Sequence, residues 1–489
     1  MKSKVFVLTV FMLVSAGDIS FCGNKGLPAK DKYTKIKNVK AHVDFSNVIG
    51  NMDFKKHRFA IGGINPMPMP QNIAEGMAKL KPTVIRLFIQ EFFFIEKENG
   101  NLDFTALDKF IRSVHSTGAN IMAVICIKPK SLYPVVDENI WRPNNVERWQ
   151  YIIGEMVKRY SVDNKYVTHW VIGNETNIGE SGGCPYKITN ARDFLEYYKM
   201  TIDPILKVYP EALVGGPGWA FIREDCYRFF DEFIDLCLKE KVRLDFISYN
   251  LYSDDPENHI RVALRMKDIV DKHDSKIEIH VTEINMNLGG TVEEQAYQSR
   301  RASGLGAALH EFYKRAKSVY TYQYHIYDQF CNPNDFKPFY AQYRFMANHW
   351  NDEPHRLGLF DFNGKVRPQY FMYSMIYSMA KTEVATKVDN YEKIRILASR
   401  DDRYVTVFLT NYHPDKTEDV TMSLFFKDAP QGKARMTVYR IDDDMKWDND
   451  LLKLIPIENR VTYIHNDFRF SLFVPADCVS MVTFDYDVE

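Results

Sequence analysis

The chain has 489 residues, which is enough for a barrel-sized domain and a smaller second domain. Its apolar fraction of 45% and charged fraction of 26% are those of a globular protein. The formal net charge of −1 and the lack of a long basic run exclude the electrostatic pattern of a nucleic-acid-binding protein. A neutral partner therefore fits better than a polyanion.

Residues 1–22 have the pattern of a secretory signal peptide. Two lysines in the first four residues precede an apolar run over residues 5–14, and small residues follow it. The run is shorter than the roughly 20 residues that a transmembrane helix needs. We therefore expect an exported protein that is periplasmic, outer-membrane-associated or secreted. Cys22 is a candidate for a lipid anchor, although the preceding Phe21 is bulky where such sites prefer small residues.

The seven cysteines are scattered along the chain without a Cys-x-x-Cys pair, which argues against a zinc ribbon or a redox motif. Export permits disulfides, but the spacing does not give their pairing. His273 and His280 lack the spacing to a third ligand that a zinc site needs. Neither a His-Glu-x-x-His motif nor a phosphate-binding glycine loop with lysine occurs. We therefore expect no metal and no cofactor.

Between residues 56 and 382, apolar strand-like runs alternate with amphipathic helical segments. The strand-like runs are continuously apolar, as in parallel strands that are covered on both faces. The predicted strands are Arg58–Ile61, Thr83–Phe88, Asn120–Ile127, Val167–Ile172, Ala212–Gly216, Leu244–Tyr249, Ile277–Val281 and Ser318–Tyr324. The predicted helices are Asn72–Leu80, Phe104–His115, Val146–Tyr160, Asp193–Val208, Cys226–Lys239, Asn258–Lys272, Val292–Lys314 and Tyr370–Ala380. Eight β-then-α units predict a (β/α)₈ TIM barrel, with a doubly wound open sheet as the alternative.

Residues 383–489 have a different pattern, in which short runs alternate apolar and polar residues between turns that contain Asp, Pro or Gly. Four such runs are Tyr404–Leu409, Val420–Phe426, Arg435–Arg440 and Val479–Phe484. This pattern predicts an accessory antiparallel β-sandwich domain at the C-terminus. Residues 36–55 are a candidate for a further strand of that sandwich, formed before the barrel begins.

Two glutamates lie where predicted barrel strands end. Glu175 follows the fourth strand after Gly173 and Asn174, and Glu283 closes the seventh. The active site of such a barrel lies at the C-terminal ends of its strands, so the two carboxylates can converge on one bound bond. Glycoside hydrolysis requires such a pair: one carboxyl group protonates the leaving oxygen, and the other attacks the anomeric carbon or activates water. A single strand-end glutamate would more simply be a solvated surface residue, whereas two at matched ends favour catalysis.

These residues resemble clan A of the retaining glycoside hydrolases and, more narrowly, glycoside hydrolase family 39, the family of β-xylosidase and α-L-iduronidase. The resemblance covers most of residues 58–380, and a trailing β-domain is typical of the family. The motifs that carry it are Asn174-Glu175 after a Trp-containing strand, Thr282-Glu283, Gly215-Gly216-Pro217, Asp245–Ser248, Gly358-Leu359-Phe360 and Gly364–Tyr370.

The resemblance implies a reaction and the residues that perform it. Glu175 would be the general acid/base, Glu283 the nucleophile, and Asn174 the residue that binds the 2-hydroxyl of the sugar. Proximity to the anionic Glu283 and partial desolvation should keep Glu175 protonated before bond cleavage. We therefore expect a retaining, β-xylosidase-like hydrolase whose partner is an oligosaccharide, a polysaccharide or another glycoside. The alternative is a non-catalytic carbohydrate-binding protein that has kept the barrel.

Three positions depart from the family pattern. Asn250 stands where family 39 usually carries His, Tyr324 lies near the position of an expected Trp, and Phe88 replaces a His that contacts the sugar. The catalytic pair is intact while groups that read the sugar differ. The departures therefore put the substrate in question and leave the reaction class unchanged.

Six residues are candidates for further substrate contacts, and for most of them an alternative role in packing stays open. Arg86 either donates a hydrogen bond near the nucleophile or forms a salt bridge at the barrel rim. Tyr249 and Tyr252 either contact Glu283 and the sugar or pack in the core. His325 forms a substrate-binding pair with Asp328, or it is a core histidine near the mouth. The candidates are Arg86, Tyr249, Asn250, Tyr252, Tyr324 and His325.

Overall fold

The computed structural model describes residues 36–273, 276–287, 291–352 and 355–488. The predicted signal peptide and Cys22 lie outside these residues. No helix within the described ranges combines the length and the apolar composition that a membrane crossing requires.

Eight parallel strands among the described residues close into a barrel, in chain order. The first described strand, β1 (Lys37–Asn51), precedes them. The barrel strands are β2 (His57–Ala60), β3 (Val84–Gln90), β4 (Asn120–Cys126), β5 (Val167–Ile172), β6 (Leu213–Trp219), β7 (Phe246–Tyr252), β8 (Glu278–Asn285) and β9 (Val319–Tyr324). Because β2 pairs in parallel with β9 as well as with β3, the sheet has no free edge. This closure confirms the predicted (β/α)₈ barrel and excludes the open sheet.

Helices follow the barrel strands along the described chain. They are α1 (Gln71–Leu80), α2 (Thr105–His115), α3 (Val146–Val157), α4 (Ala191–Val208), α5 (Glu224–Lys239), α6 (Pro256–His273), α7 (Glu293–Ala296), α8 (Ser299–Arg315), α9 (Pro333–Phe336), α10 (Tyr343–Ala347) and α11 (Pro368–Tyr377). The short helices α7, α9 and α10 lie in the segments after β8 and β9. Short 3₁₀ turns at Glu91–Phe93 and Gly179–Gly182 lie in the loops after β3 and β5.

The second barrel strand, β3, shows how the sequence separates the two faces of the barrel wall. All seven of its residues are buried. Alternation along a strand directs Ile85, Leu87 and Ile89 to the helices, while Arg86 and Gln90 face the interior. A strand buried on both faces is normally a continuous apolar run, so the inward polar residues Arg86 and Gln90 are exceptions, and Arg86 identifies the site.

The described C-terminal segment forms a mostly antiparallel nine-stranded sheet. Its strands in chain order are β10 (Thr382–Val388), β11 (Ile394–Arg400), β12 (Tyr404–Asn411), β13 (Val420–Lys427), β14 (Gly432–Ile441), β17 (Glu458–Ile464), β18 (Arg469–Val474) and β19 (Cys478–Asp485), with β1 as the ninth, and the short pair β15 (Trp447–Asp448) and β16 (Lys453–Leu454) lies apart. The order across the sheet is β17-β14-β19-β12-β11-β10-β1-β13-β18.

This sheet folds over on itself to enclose a core. Four strands lie between β13 and β19 in the order of the sheet, yet the rings of Phe426 and Phe484 on these two strands are 5.6 Å apart. Side chains from β1, β13 and β14 join the same hydrophobic cluster. The result is the predicted β-sandwich, and β1 enters it between β10 and β13.

Candidate active site

Arg86 and Glu283 form an ion pair inside the barrel mouth. Arg86 Nη1 donates to Glu283 Oε1 at 2.8 Å, and both side chains are buried. Burying the two charges costs on the order of several kcal/mol per ion. Further hydrogen bonds to the remaining polar atoms of the pair are needed to offset this cost. The guanidinium therefore holds the Glu283 side chain in a fixed position.

Tyr252, at the end of β7, donates the second hydrogen bond to Glu283. Its hydroxyl lies 2.5 Å from Oε2 of that carboxylate. Burial and the negative charge of Glu283 raise the pKa of Tyr252 well above its usual range, so the phenol keeps its proton and acts as a donor. Each oxygen of Glu283 thus accepts one hydrogen bond, from Arg86 on one side and Tyr252 on the other.

Asn174 connects this ion pair to the loop that follows β5. Its Oδ1 accepts from Arg86 Nη2 at 2.5 Å, and its Nδ2 donates to the carbonyl of Gly182 at 2.8 Å. An amide nitrogen has two hydrogens, so one of them remains for a further acceptor. The buried carboxamide is thereby held in one orientation by Arg86 and Gly182.

Asn250 contacts the second glutamate. Its Nδ2 donates to Oε1 of Glu175 at 2.8 Å and lies 3.4 Å from Oδ1 of Asn174. Its Oδ1 accepts from the hydroxyl of Thr282 at 2.8 Å, which fixes the orientation of the amide. A continuous set of hydrogen bonds therefore runs from Glu283 through Arg86, Asn174 and Asn250 to Glu175.

Glu175 sits in a different electrostatic setting from Glu283. Burial, followed by the negative charge of Glu283, raises the pKa of Glu175 well above its usual range, against the lowering effects of Asn250 and Arg86. Its backbone has a φ of 47°, a left-handed conformation that is uncommon outside glycine, and its N–H donates to the carbonyl of Gly218 at 2.9 Å. The site thus holds one carboxyl group that favours the protonated form beside one that is paired with a cation.

Gly182, which the sequence did not single out, lies directly against Glu175. A Cβ at this position would lie 2.5 Å from Oε2 of Glu175, closer than any real side-chain contact. The loop that carries Gly182 is held by buried Glu180, whose two carboxylate oxygens accept from the backbone N–H groups of Ala341 and Gln342 at 2.8 and 2.7 Å. The Gly182-Gly183 pair was the signal in the sequence for such a close approach of backbone to a side chain.

Tyr324 ends β9, the strand next to the one that carries Glu283, and His325 follows it. The ring of Tyr324 lies 6.4 Å from that of Tyr252 and is stacked on His325 at 5.0 Å. Nε2 of His325 lies 3.4 Å from Oδ1 of Asp328. Burial alone would raise the pKa of Asp328, but the nearby His325 and the charge of Arg367, which donates to Asp328 Oδ2 at 2.7 Å, outweigh it and hold that pKa at about 2. His325 is therefore tied to an anionic partner behind Tyr324.

Tyr249 lies apart from the other site candidates. Strand alternation places it on the outward face of β7, near Tyr227 and Cys226 of α5. Its buried hydroxyl has no hydrogen-bond partner among the described residues. Of the nine residues expected at the site, the structure therefore brings Glu175, Glu283, Asn174, Arg86, Asn250, Tyr252, Tyr324 and His325 to the barrel mouth and leaves Tyr249 in the wall.

The described part of the chain contains no group of three or more His, Cys, Asp or Glu side chains arranged to hold a metal ion. Six cysteines fall within the described ranges, and all are free and buried.

Residues 96–448 match the model of the glycosyl hydrolases family 39. A monomeric β-xylosidase from Caulobacter crescentus CB15 is similar in structure, with 14% identity and a TM-score of 0.71 over 92% of this chain and 100% of that chain. A GH39 enzyme from Xanthomonas axonopodis pv. citri has 14% identity and a TM-score of 0.68 over 94% and 99% of the two chains. A bacterial orthologue of human α-L-iduronidase has 13% identity and a TM-score of 0.67 over 92% and 84%.

The three structures share the fold of this chain at low sequence identity, and the family match spans both strand-end glutamates. The resemblance inferred from the motifs is thereby confirmed. The chain belongs to the glycosyl hydrolases family 39 and is a glycoside hydrolase with a carbohydrate substrate.

Proposed function

We propose that this glycoside hydrolase cleaves O-glycosidic bonds with retention of anomeric configuration, with Glu283 as nucleophile and Glu175 as general acid/base. The observation that carries the proposal is the different setting of the two carboxyl groups. Glu283 is paired with Arg86 at 2.8 Å, and the pKa of Glu175 is raised by burial and by Glu283. One group is thus prepared to attack and the other to donate a proton.

In the first half-reaction, the protonated Glu175 gives its proton to the leaving glycosidic oxygen. A carboxylate oxygen of Glu283 forms a bond to the anomeric carbon as the bond to the leaving group breaks. Arg86 and Tyr252 hold the carboxylate in place for this attack. The product is a glycosyl ester of Glu283, which is no longer anionic.

In the second half-reaction, Glu175 acts as a base. Since the charge of Glu283 contributes to the raised pKa of Glu175, ester formation removes that contribution and lowers this pKa. The ionised Glu175 then takes a proton from water, the water oxygen bonds to the anomeric carbon, and the ester bond breaks. Two inversions at one carbon give net retention.

Asn174 is proposed to bind the 2-hydroxyl of the sugar. Its Oδ1 already accepts from Arg86, and one hydrogen of its Nδ2 is given to Gly182, which leaves the second hydrogen for the substrate. A contact with the 2-hydroxyl strengthens as positive charge develops on the sugar ring.

We propose that the activity is β-xylosidase-like and that the substrate is a glycoside of a neutral sugar. The cation within this group of residues, Arg86, is committed to Glu283 and Asn174. A uronic acid would require a further cation for its carboxylate, whereas a neutral pyranose requires hydroxyl partners and an aromatic face such as Tyr324.

A panel of aryl glycosides tests the proposal. We expect the wild-type protein to turn over at least one β-configured neutral glycoside. The activity of Glu283→Gln should be lower by about 10⁴-fold. Glu175→Gln should lose less activity on aryl glycosides with good leaving groups, because these depart without protonation. A wild-type protein that turns over no member of the panel would refute the proposal and favour a carbohydrate-binding role.

Azide rescue separates the two glutamates. Azide should restore turnover of Glu175→Ala and give a glycosyl azide of the substrate's own configuration, because it attacks the ester of Glu283. It should restore Glu283→Ala with the opposite configuration, because it takes the place of the nucleophile itself. The reverse pattern would exchange the two proposed roles.

We also propose that the chain is exported, on the signal-like pattern of residues 1–22. Intact-mass measurement of the protein purified from its native host should find a mature chain that has lost the apolar run of residues 5–14 and begins at or before residue 23. A mass increment on Cys22 that is abolished by Cys22→Ser would identify a lipid anchor, and a chain that retains Met1 would contradict export.

A further inference from the structure

A cavity opens on the same end of the barrel as Glu175 and Glu283. Its volume is 570 Å³, within the range of small-ligand sites, and its walls come from the segments that follow β2 and β9 and precede α11. None of the residues that line it belongs to the hydrogen-bonded group around Glu175 and Glu283. The C-terminal ends of β2 and β9 are neighbours in the barrel, so this cavity lies beside the mouth.

An exposed aromatic ring forms one wall of the cavity. Phe330 is 63% exposed, and its ring is stacked on Phe362 with centroids 4.1 Å apart and an angle of 21° between the planes. Met67 on the opposite segment is 64% exposed. Large apolar side chains at this exposure cost free energy in water unless a partner covers them, and a flat supported ring fits the apolar face of a pyranose.

Carboxamides hold this ring and offer polar contacts next to it. Asn65 Nδ2 donates to the carbonyl of Phe330 at 2.9 Å, and Gln329 Nε2 donates to the hydroxyl of Tyr327 at 3.1 Å. Gln329 is 3% exposed, and its Oε1 has no hydrogen-bond partner among the described residues. A buried amide oxygen without a partner costs about 1–3 kcal/mol, which a ligand hydroxyl would relieve.

The charges of the cavity select the kind of ligand. The lining contains the carboxylates of Asp328 and Asp335 and, among the described residues, no lysine or arginine. The nearby Arg356 lies 4.8 Å from the centre of the Phe362 ring and is paired with Glu293. Asp328 is already paired with Arg367 at 2.7 Å. An anionic ligand such as a phosphate, a sulfated sugar or a uronic acid would find no lysine or arginine among the described lining residues to pair with its charge, whereas a neutral polyol would find donors and acceptors.

We propose that this cavity is an accessory binding site for a neutral oligosaccharide, with the Phe330 ring as the stacking platform and Gln329 as a hydroxyl partner. Tyr324 at the catalytic mouth and Gln329 in the cavity are five residues apart, so by chain length they lie no more than about 18 Å from one another. A glycan chain held by Phe330 is thus kept close to the catalytic pair. The site does not depend on which glutamate is the nucleophile.

Glycan binding to the full chain tests this site. We would measure by calorimetry the binding of β-1,4-xylotetraose, cellotetraose, β-1,4-mannotetraose and tetragalacturonate to Glu283→Gln, in which cleavage is blocked. At least one neutral tetrasaccharide should bind, and adding Phe330→Ala should weaken that binding by about tenfold, the value of one aromatic contact. Phe330→Leu, which keeps the apolar contact with Phe362 but not the flat ring, should weaken it similarly.

The matched control is Phe473→Ala, which removes an exposed phenylalanine from β18 in the sandwich and should leave binding unchanged. The proposal is overturned if no neutral glycan depends on Phe330, or if tetragalacturonate binds best. Turnover of aryl monoglycosides by Phe330→Ala in the otherwise wild-type chain should stay within twofold, so a failure of this site and a failure of the catalytic proposal give different results.

Discussion

Asn250 donates a 2.8 Å hydrogen bond from Nδ2 to Oε1 of Glu175, and it stands where the family pattern led us to expect a histidine. A hydrogen bond to the ionised carboxylate lowers the pKa of Glu175, in opposition to burial and to Glu283. A neutral amide cannot itself titrate near neutral pH, whereas a histidine can. The proton on Glu175 is therefore set by burial, Glu283, Asn250 and Arg86 without a titrating neighbour at this position.

Replacing Asn250 should move the alkaline limb of the pH profile. In Asn250→Leu the donor is gone, so the pKa of Glu175 rises and the acid stays protonated to higher pH. The alkaline limb of kcat/KM should shift upward, while kcat/KM at its optimum falls about tenfold through the lost positioning. The profile is measured with an aryl glycoside whose leaving group requires protonation. A limb that stays in place or moves to lower pH contradicts this assignment of the acid.

Tyr252→Phe should reduce catalysis without disturbing the fold. The substitution removes the 2.5 Å hydrogen bond to Oε2 of Glu283 and keeps the ring. We therefore expect kcat to fall by roughly 10- to 100-fold with little change in Tm. Tyr249→Phe, on the same strand, is the matched control because its hydroxyl has no partner in the described structure. Equal losses in both variants would show that the hydroxyl of Tyr252 has no specific role.

Arg86→Met should cost both stability and activity. It leaves the Glu283 carboxylate buried without its counter-charge, which typically costs about 3–5 kcal/mol, and it releases Asn174. We expect a lower Tm and a loss of kcat/KM of about 10³-fold. Arg58→Met removes an arginine that donates to Tyr322 at 2.7 Å near the N-terminal end of the barrel. It should lower Tm while leaving kcat/KM unchanged, and a comparable loss of activity there would contradict a role specific to Arg86.

Glu91, in the turn after β3, should make stability depend on pH. Burial raises its pKa to about 8, although Lys128 donates a backbone hydrogen bond to it at 2.8 Å. The folded state holds a proton that the unfolded chain loses near pH 4.5, so stability falls as pH rises from about 4.5 to 8. Glu91→Gln removes this dependence and should exceed the wild type by about 3–5 kcal/mol near pH 8.

Thermal unfolding across this pH range measures the effect of Glu91. The Tm of Glu91→Gln should rise relative to the wild type as pH increases, and exposed Glu98→Gln should show no such trend. A difference that shrinks toward alkaline pH would mean that Glu91 is ionised in the folded protein.

The sequence predicted the barrel and the placement of Glu175 and Glu283 at its mouth because both depend on local patterns. The fourth strand was predicted at Val167–Ile172 and is observed there, because a short, continuous apolar run between a turn and Gly173 is typical of a buried strand. The predicted helix Val292–Lys314 is two helices, because Gln298 adopts an extended backbone conformation before α8. No residue in that stretch marks the break by composition.

Other features were out of reach because they depend on contacts between distant segments. Strand β17 has mostly exposed side chains at the edge of the sheet, so it lacks the apolar alternation that identifies a strand. The orientation of Asn250 by Thr282 and the approach of Gly182 to Glu175 require the closed barrel. The predicted sixth strand ended at Tyr249, whereas the observed β7 continues to Tyr252. With the longer strand, alternation assigns Tyr249 and Tyr252 to opposite faces of the sheet.

The proposal that Glu283 is the nucleophile is tested most directly by identifying the residue that becomes glycosylated during turnover. The wild-type enzyme is incubated with the activated 2-deoxy-2-fluoro derivative of a sugar that the aryl glycoside panel shows to be cleaved, and the digested protein is analysed by tandem mass spectrometry. We expect one fluoroglycosyl group per chain, on Glu283. A label on Glu175, or turnover that leaves no label and yields the inverted anomer by NMR, would contradict it.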